Sequence, residues 1–246
     1  MTGALRIDGG ELPTTAGVCA PRTRLLSKGR FVLEAVIRSW WDLEVHGADN
    51  VPDSGPVVMA ANHVGWLDGP MLAICAPRPV HALTKKEMFE GPLGHFLSAT
   101  GQIELDRFHV DVAAIRVAVR ALHEGNVIGV FPEGRRGPGD MASPRAGAAY
   151  LALVTGAPVV PVAFLGTRLP GGSDGSLPPR GARLAMTFGE PVHIDSKRWP
   201  RTQRDMANAA ARVTDAILQT IRTAEQTTGM TLPGPLGPSG GEKKRA

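Results

Sequence analysis

The sequence is poor in cysteine and in aromatic residues, and long apolar runs are missing from it. Its two cysteines, Cys19 and Cys75, are too few for a disulfide framework and do not have metal-ligand spacing. Aromatic residues make up 5% of the 246 residues, which argues against a stacking platform for nucleic acid, and no nucleic-acid partner is predicted. No stretch of about eighteen apolar residues is present, so no membrane-spanning helix is predicted.

Two further absences narrow the function. The first residues lack the apolar core of a secretory signal, and the histidines do not cluster as metal ligands do, so we predict no secretion, no metal and no cofactor. The chain does have a formal net charge of +4 at pH 7 and 43% hydrophobic residues. This balance favours a folded domain with anionic partners, and we predict a protein that is peripheral on the cytoplasmic face of the cell membrane.

Composition and hydrophobic pattern divide the chain into four parts. Residues 1–23 are predicted to be poorly ordered, and the proline- and glycine-rich tail of residues 227–246 is predicted to be disordered. Residues 24–45 have the pattern of an amphipathic helix. Residues 46–226 alternate strands and helices, which predicts a single α/β domain with a central, largely parallel β-sheet flanked by helices.

The segment of residues 62–68, Asn-His-Val-Gly-Trp-Leu-Asp, follows a short apolar run that is typical of a buried strand. His63 and Asp68 are five positions apart, so a continuous helix would turn them away from each other. Gly65 allows a bend between them, and Gly69-Pro70 is typical of a helix start. In this setting the Asp68 carboxylate can hold one imidazole nitrogen of His63 and leave the other as a general base.

A second motif, Phe-Pro-Glu-Gly-Arg-Arg at residues 131–136, ends another buried-strand pattern. Its charged residues fall at the carboxyl end of that strand, the edge where α/β sheets bind ligands. Neighbouring arginines suit bidentate recognition of a phosphate group. Lys85 and Arg107 also follow predicted strands, so with Arg136 three strand ends each carry a cation.

The predicted helix of residues 24–45 has an apolar face and a basic approach. The apolar residues at helical spacing are Leu33, Val36, Ile37, Trp40 and Trp41. One interpretation is an interfacial helix whose tryptophans lie at headgroup depth of an anionic bilayer.

Each feature also has a simpler interpretation. Asp68 alone fits a helix cap, and His63 alone fits a turn or surface histidine. Residues 133–136 fit a solvated charged loop, and residues 24–45 fit a helix packed on the core. It is the combination of a base, an acid and cations at strand ends that favours catalysis over these alternatives.

Together the motifs resemble those of the phospholipid/glycerol acyltransferase family, the 1-acylglycerol-3-phosphate acyltransferases, from about Trp41 to about Pro191. A serine that is common in the family's first block is Gly65 here, so a hydroxyl that could support the loop is missing. Lys85 and Glu87 match the family's Lys-x-Glu feature. Four blocks occur in the family's order: Asn62, His63 and Asp68; Gly101, Ile103, Asp106 and Arg107; Phe131, Pro132, Glu133, Gly134 and Arg136; and Pro158, Pro161 and Val162.

The resemblance implies a transfer of a fatty acyl group from acyl-CoA or acyl carrier protein to the free hydroxyl of lysophosphatidic acid at a membrane surface. His63 and Asp68 would be catalytic, and backbone amides of the turn after Asn62, or a cation, would stabilise the oxyanion. The implied substrate-binding residues are Asn62, Lys85, Arg107, Glu133, Gly134 and Arg136.

Other functions stay open on the sequence. The same chemistry on another lipid acceptor, a glycolipid or an aminolipid, is the alternative closest to this prediction. A serine hydrolase would share the histidine and the acid, but the chain has no Gly-x-Ser-x-Gly nucleophile motif. A non-enzymatic membrane-binding or nucleic-acid-binding protein would explain the positive charge, but not the placement of base, acid and arginines at strand ends.

Overall fold

The computed structural model describes residues 13–237. Within this range there are six α-helices and seven strands, which alternate from β2 to β6. The helices are α1 (Arg24–Trp40), α2 (Asp68–Cys75), α3 (Gly91–Ala99), α4 (Val112–His123), α5 (Gly147–Thr155) and α6 (Gln203–Thr228). The strands are β1 (Asp42–His46), β2 (Val57–Ala61), β3 (Val80–Lys85), β4 (Ile103–Leu105), β5 (Val127–Val130), β6 (Val159–Leu165) and β7 (Arg183–Phe188).

The strands form one sheet in the order β1-β7-β6-β2-β5-β3-β4. Every neighbouring pair is parallel except β6 and β7, which are antiparallel. The central strands β2, β5 and β6 are buried along their whole length, as expected of strands covered by helices on both faces. The predicted α/β fold with a largely parallel sheet is therefore confirmed.

Two hydrophobic cores cover the two faces of the sheet. Because side chains alternate along a strand, Val58 and Ala60 of β2 belong to the core that contains α4, α5 and α6. Val57 and Met59 belong to the core that contains α2 and the inner face of α1. Within residues 13–237 no helix combines the length and the apolar character that a bilayer crossing requires.

One edge of the sheet collects the ends of five strands. The strands β2, β3, β4, β5 and β6 run in the same direction, so the segments that follow them meet at the same edge. The reversed pair, β7 and β1, begins at this edge, since Asp42 pairs with Arg183 and Ala185 pairs with Leu165. The carboxyl end of α1 therefore lies at the edge that carries the motifs.

The structure corrects the predicted helix of residues 24–45. Helix α1 ends at Trp40, and residues 42–46 form β1 because they pair with β7. The apolar face is also divided: Leu33, Ile37 and Trp41 pack on the core, whereas Val36 and Trp40 are exposed.

The predicted termini are corrected as well. Residues 13–23 lie against α4, where Arg116 donates to the carbonyls of Thr14 and Ala16. A disordered tail from residue 227 is wrong for residues 227–237, which end α6 and return to the sheet edge, where the Gly237 amide donates to the Gly172 carbonyl at 3.0 Å. The predictions for residues 1–12 and 238–246 lie outside the described residues.

Candidate active site

His63 and Asp68 meet across the turn between β2 and α2, as their spacing and the bend predict. The Nδ1 atom of His63 lies 2.8 Å from Oδ2 of Asp68. The Asp68 side chain is fully buried, and 18% of the His63 side chain is exposed. Since a carboxylate accepts, Nδ1 of the neutral ring carries the proton, and Nε2 is the nitrogen that can take a proton from a substrate.

The Asp68 carboxylate is surrounded by four donors. Its Oδ2 also accepts from the backbone amides of Val64 at 2.7 Å and Gly65 at 2.8 Å. Its Oδ1 accepts from the Thr167 hydroxyl, which comes from the end of β6, at 2.5 Å. These bonds fix the carboxylate and, through it, the orientation of the imidazole ring.

Thr167 also explains the glycine at position 65. A Cβ added to Gly65 would lie 2.3 Å from the carbonyl oxygen of Thr167 and 2.9 Å from its hydroxyl. Gly65 replaces a serine that is common in the first motif of the family, and the hydroxyl is supplied here by Thr167, 99 positions along the chain from Asp68. Only a residue without a side chain at position 65 allows that approach.

The motif of residues 131–136 contacts His63 directly. The Phe131 ring stacks on the His63 imidazole, with 4.2 Å between centroids and 27° between planes. Oε1 of Glu133 accepts the backbone amide of His63 at 2.8 Å. Burial raises the pKa of Glu133 to about 7, and the His63 amide opposes that rise. Glu133 therefore positions the histidine through Oε1, and its predicted substrate-binding role stays a prediction.

Asn62 and Gly134 have structural tasks too. Asn62 is fully buried, and its side chain exchanges two hydrogen bonds with the backbone of Phe164 in β6. It therefore locks β2 to β6, and a role in substrate binding stays a prediction. Gly134 has a positive φ of 66°, and its carbonyl accepts from Arg107 at 3.1 Å, so it shapes the loop.

Two of the three predicted cations lie at this loop, and the third ends β3. Arg107 reaches the Gly134 carbonyl, and its Nη2 lies 4.0 Å from Glu87. Arg136 donates to the Asp174 carbonyl at 2.6 Å. Lys85 ends β3, whereas its neighbour Lys86 forms an ion pair with Asp106 at 2.7 Å. The structure thus brings Lys85, Arg107 and Arg136 to one edge, and their binding of an acceptor phosphate stays a prediction.

The first three amides of the turn already have acceptors and are not available for an oxyanion. The amide of His63 donates to Glu133, and those of Val64 and Gly65 donate to Asp68. This geometry excludes the amides of residues 63–65, and stabilisation of the oxyanion by a cation stays a prediction.

Sequence reasoning missed Thr167 and Arg168. Both follow β6, the strand beside β2, and Arg168 donates through Nε to the carbonyl of Val64 at 2.8 Å. The signal that could have found them is the rule already applied to β3, β4 and β5, that polar residues after a parallel strand fall at the ligand edge.

Comparisons with known proteins agree with this geometry. A family model described as Acyltransferase matches residues 42–165, about half of the chain. The 1-acyl-sn-glycerol-3-phosphate acyltransferase of Bacillus subtilis is 29% identical over 78% of this chain and 93% of its own length. The chloroplastic enzyme LPAT1 of Arabidopsis thaliana is 29% identical over 64% of this chain and 45% of its own length.

A solved structure shows the same fold. The crystal structure of the 1-acyl-sn-glycerophosphate acyltransferase PlsC from Thermotoga maritima matches with a TM-score of 0.61 at 24% identity, over 83% of this chain and 80% of that one. The family match includes β1 to β6 and with them the His63–Asp68 pair and the strand ends around it. The chain therefore belongs to the acyltransferase family, and the protein is an acyltransferase.

Proposed function

We propose that the protein transfers a fatty acyl group from acyl-CoA or acyl carrier protein to the free hydroxyl of lysophosphatidic acid, giving phosphatidic acid for phospholipid synthesis. The observation that carries the proposal is the His63–Asp68 pair, which presents Nε2 at an edge lined by Lys85, Arg107 and Arg136. The names of the relatives from Bacillus subtilis and Borreliella burgdorferi support 1-acyl-sn-glycerol-3-phosphate, which is lysophosphatidic acid, as the acceptor.

The reaction follows from the tautomer of His63. Nε2 takes the proton from the acceptor hydroxyl as its oxygen attacks the thioester carbonyl, and a tetrahedral oxyanion forms. Asp68 stabilises the imidazolium that results. When the carbon–sulfur bond breaks, the imidazolium returns the proton to the leaving thiolate, so an ester and a free thiol are produced and the histidine is neutral again. No cofactor takes part in this scheme.

The cations provide the contacts for the acceptor's phosphate group. A dianionic headgroup bound by Arg136 and Lys85 would be held beside the loop that carries Glu133 and Phe131, and hence beside His63. Arg107 contacts the carbonyl of that loop, so it links the phosphate site to the loop's position. Positive charge that the phosphate group does not neutralise would stabilise the oxyanion.

The acceptor is a membrane lipid, and α1 offers a surface to meet it. Its outer face exposes Leu25, Val32, Val36 and Trp40, of which Val32 is 69% exposed. The guanidinium of Arg180 lies 5.7 Å from the Trp40 ring centroid, so a cation accompanies the aromatic side chain. We assign this outer face of α1 to a peripheral contact with the cytoplasmic face of an anionic membrane.

Substitution of the base tests the reaction. His63→Ala should lower kcat by about 10²–10⁴-fold, which is the range that a general base contributes. Asp68→Asn should lower kcat by nearly as much. The measurement is thin-layer separation of products from labelled acyl-CoA and a panel of lysophosphatidic acid, glycolipid and aminolipid acceptors. His193→Ala, at an exposed position, is the matched control. Turnover of His63→Ala near that of the control would contradict the mechanism.

The phosphate contact is tested best at Arg136, because Arg107 also holds the loop. A charge-assisted hydrogen bond is worth roughly 1.5–3 kcal/mol, so Arg136→Ala should raise the KM for lysophosphatidic acid about 10- to 150-fold. The KM for acyl-CoA should change little, and Arg204→Ala, an exposed arginine in α6, serves as the control. A change confined to the acyl-CoA constant would instead assign Arg136 to the donor's phosphates.

A further inference from the structure

Arg168 is the buried cation beside the catalytic pair, and only 1% of its surface is exposed. An arginine side chain has five N–H donors. Each of them has an acceptor here, and all five acceptors are backbone carbonyls. Nε donates to Val64 at 2.8 Å, Nη1 to Gly172 at 3.1 Å and Pro235 at 3.2 Å, and Nη2 to Gly137 at 3.0 Å and Gly234 at 2.6 Å.

These acceptors belong to four separate segments of the chain. Val64 lies in the turn between His63 and Asp68, and Gly137 follows the loop that carries Glu133. Gly172 lies in the loop after β6, and Gly234 and Pro235 lie beyond α6. A buried guanidinium needs such partners, because desolvation disfavours its charged form and lowers the pKa of Arg168, which the Asp68 carboxylate opposes.

The segment of residues 229–237, which we call the return segment, reaches Arg168 by a defined path. Helix α6 ends at Gly229 in the left-handed conformation, and the amide of Leu232 then donates to Glu225 at 3.0 Å. The side chain of Leu232 packs against both cores. At its far end, the amide of Gly237 donates to the Gly172 carbonyl at 3.0 Å.

Close packing joins the return segment to the catalytic turn. A Cβ added to Gly139 would lie 2.3 Å from Cγ1 of Val64 and 3.1 Å from Cδ2 of Leu232. The amide of Val64 donates to Asp68 while its carbonyl accepts from Arg168, so both peptide groups of this residue are held. A shift of Arg168 would therefore move a donor of the carboxylate that orients His63.

We propose that Arg168 is a positioning residue for the His63–Asp68 pair, and that the return segment completes the catalytic site by supplying two of its five carbonyls. The inference rests on the proposed role of His63 as the base. Arg168 does not touch the substrate. It holds the Val64 peptide and, through it, the geometry of the acid and the base, and a displacement of about 1 Å in such a geometry can lower turnover about 10²-fold.

Two substitutions separate positioning from folding. Arg168→Lys keeps the charge but has three donors for five carbonyls. Gly237→Ala leaves Arg168 intact and lifts the return segment, because the new Cβ would lie 1.8 Å from the carbonyl oxygen of Gly171. Gly175→Ala is the matched control, since it lies in the loop after β6 and a Cβ there meets nothing within 4 Å.

The measurement is kcat and KM per folded molecule, well below the melting temperature of each variant. Arg168→Lys and Gly237→Ala should lower kcat at least about 10-fold with little change in either KM, whereas Gly175→Ala should match the wild type. Unchanged kcat with only a lower Tm would overturn the inference, and so would loss of folding in both variants, because Arg168 would then be a folding clamp. If His63→Ala were active, the proposed function would have failed instead.

Discussion

Residues around the catalytic pair hold one another in place through hydrogen bonds and close packing. Asp68, Thr167 and Gly65 form one unit, in which the hydroxyl of Thr167, just after β6, bonds the carboxylate in place of a side chain of the turn itself. The spacing of His63 and Asp68 predicts their meeting because a five-residue turn is local. Thr167 could not be predicted in the same way, since nothing in the pattern near Asp68 shows which strand end will lie beside it.

Gly65→Ala tests this unit. The added Cβ would lie 2.3 Å from the Thr167 carbonyl, so the turn or Thr167 must move. Overpacking of this kind costs about 1–3 kcal/mol, and we expect that loss in the free energy of unfolding together with at least about a 10-fold lower kcat. Denaturant unfolding and turnover are the measurements. Gly69→Ala, where a Cβ meets nothing within 4 Å, should show neither effect, and equal behaviour of the two variants would refute the explanation.

Glu133 predicts a pH dependence of stability. Its pKa is raised from 4.5 to about 7, so the folded state binds a proton that the unfolded state has lost between these values. The free energy of unfolding should therefore fall as pH rises from about 4.5 to about 7. Glu133→Gln keeps an acceptor for the His63 amide and cannot titrate.

The measurement is denaturant unfolding of both proteins across that pH range. The variant should gain about 1–3 kcal/mol relative to the wild type between the two ends of the range. Parallel curves for the two proteins would show that Glu133 does not titrate there.

At the scale of elements, the strands were easier to predict than α1. Buried strands such as β2 and β5 appear in the sequence as short apolar runs because helices cover both of their faces. The apolar residues of α1 do not show which face of the helix is buried, because one row of them faces the core and another is exposed. The end of α1 depends on the pairing of β1 with β7, which lies far along the chain.

The proposed contact with an anionic membrane can be tested on the outer face of α1. Val32→Glu with Val36→Glu places two carboxylates on residues that are 69% and 51% exposed, so folding should be preserved. Burial of such a side chain stabilises by about 1.5–3 kcal/mol, so binding to anionic vesicles should fall by at least about 100-fold. Vesicle co-sedimentation measures this, and activity on a detergent-dispersed acceptor should persist.

The matched control carries the same charge change on the opposite face of the sheet. Thr223→Glu with Gln226→Glu lies on exposed positions of α6 and should leave vesicle binding nearly unchanged. Trp41 is a poor probe, because it packs on the core and donates through Nε1 to the Pro178 carbonyl. Retained binding of the α1 variant would assign the membrane contact to another surface.

At the scale of the whole molecule, the alternation of predicted strands and helices was enough to predict the fold class. The ordered structure of the return segment could not be predicted in this way. Proline and glycine in residues 229–237 indicate that no regular element forms, and such a composition predicts disorder. The partner that orders the segment is Arg168, which donates to the carbonyls of Gly234 and Pro235. Its need for these acceptors can be seen only in the folded structure, where four loops meet. Composition describes a segment by itself, whereas its order here depends on a cation 66 residues away.

The reversed edge of the sheet has a consequence for how the chain is made. Among the strands of residues 13–237, β1 is the first to be synthesised and its sheet partner β7 is the last. Roughly 140 residues separate them, which at about 5–20 residues per second is on the order of 10 s of translation. During that interval β1 has no sheet neighbour, and α1 leads into it with its outer stripe already complete. The nascent chain therefore presents the outer face of α1 before the catalytic edge of the sheet exists.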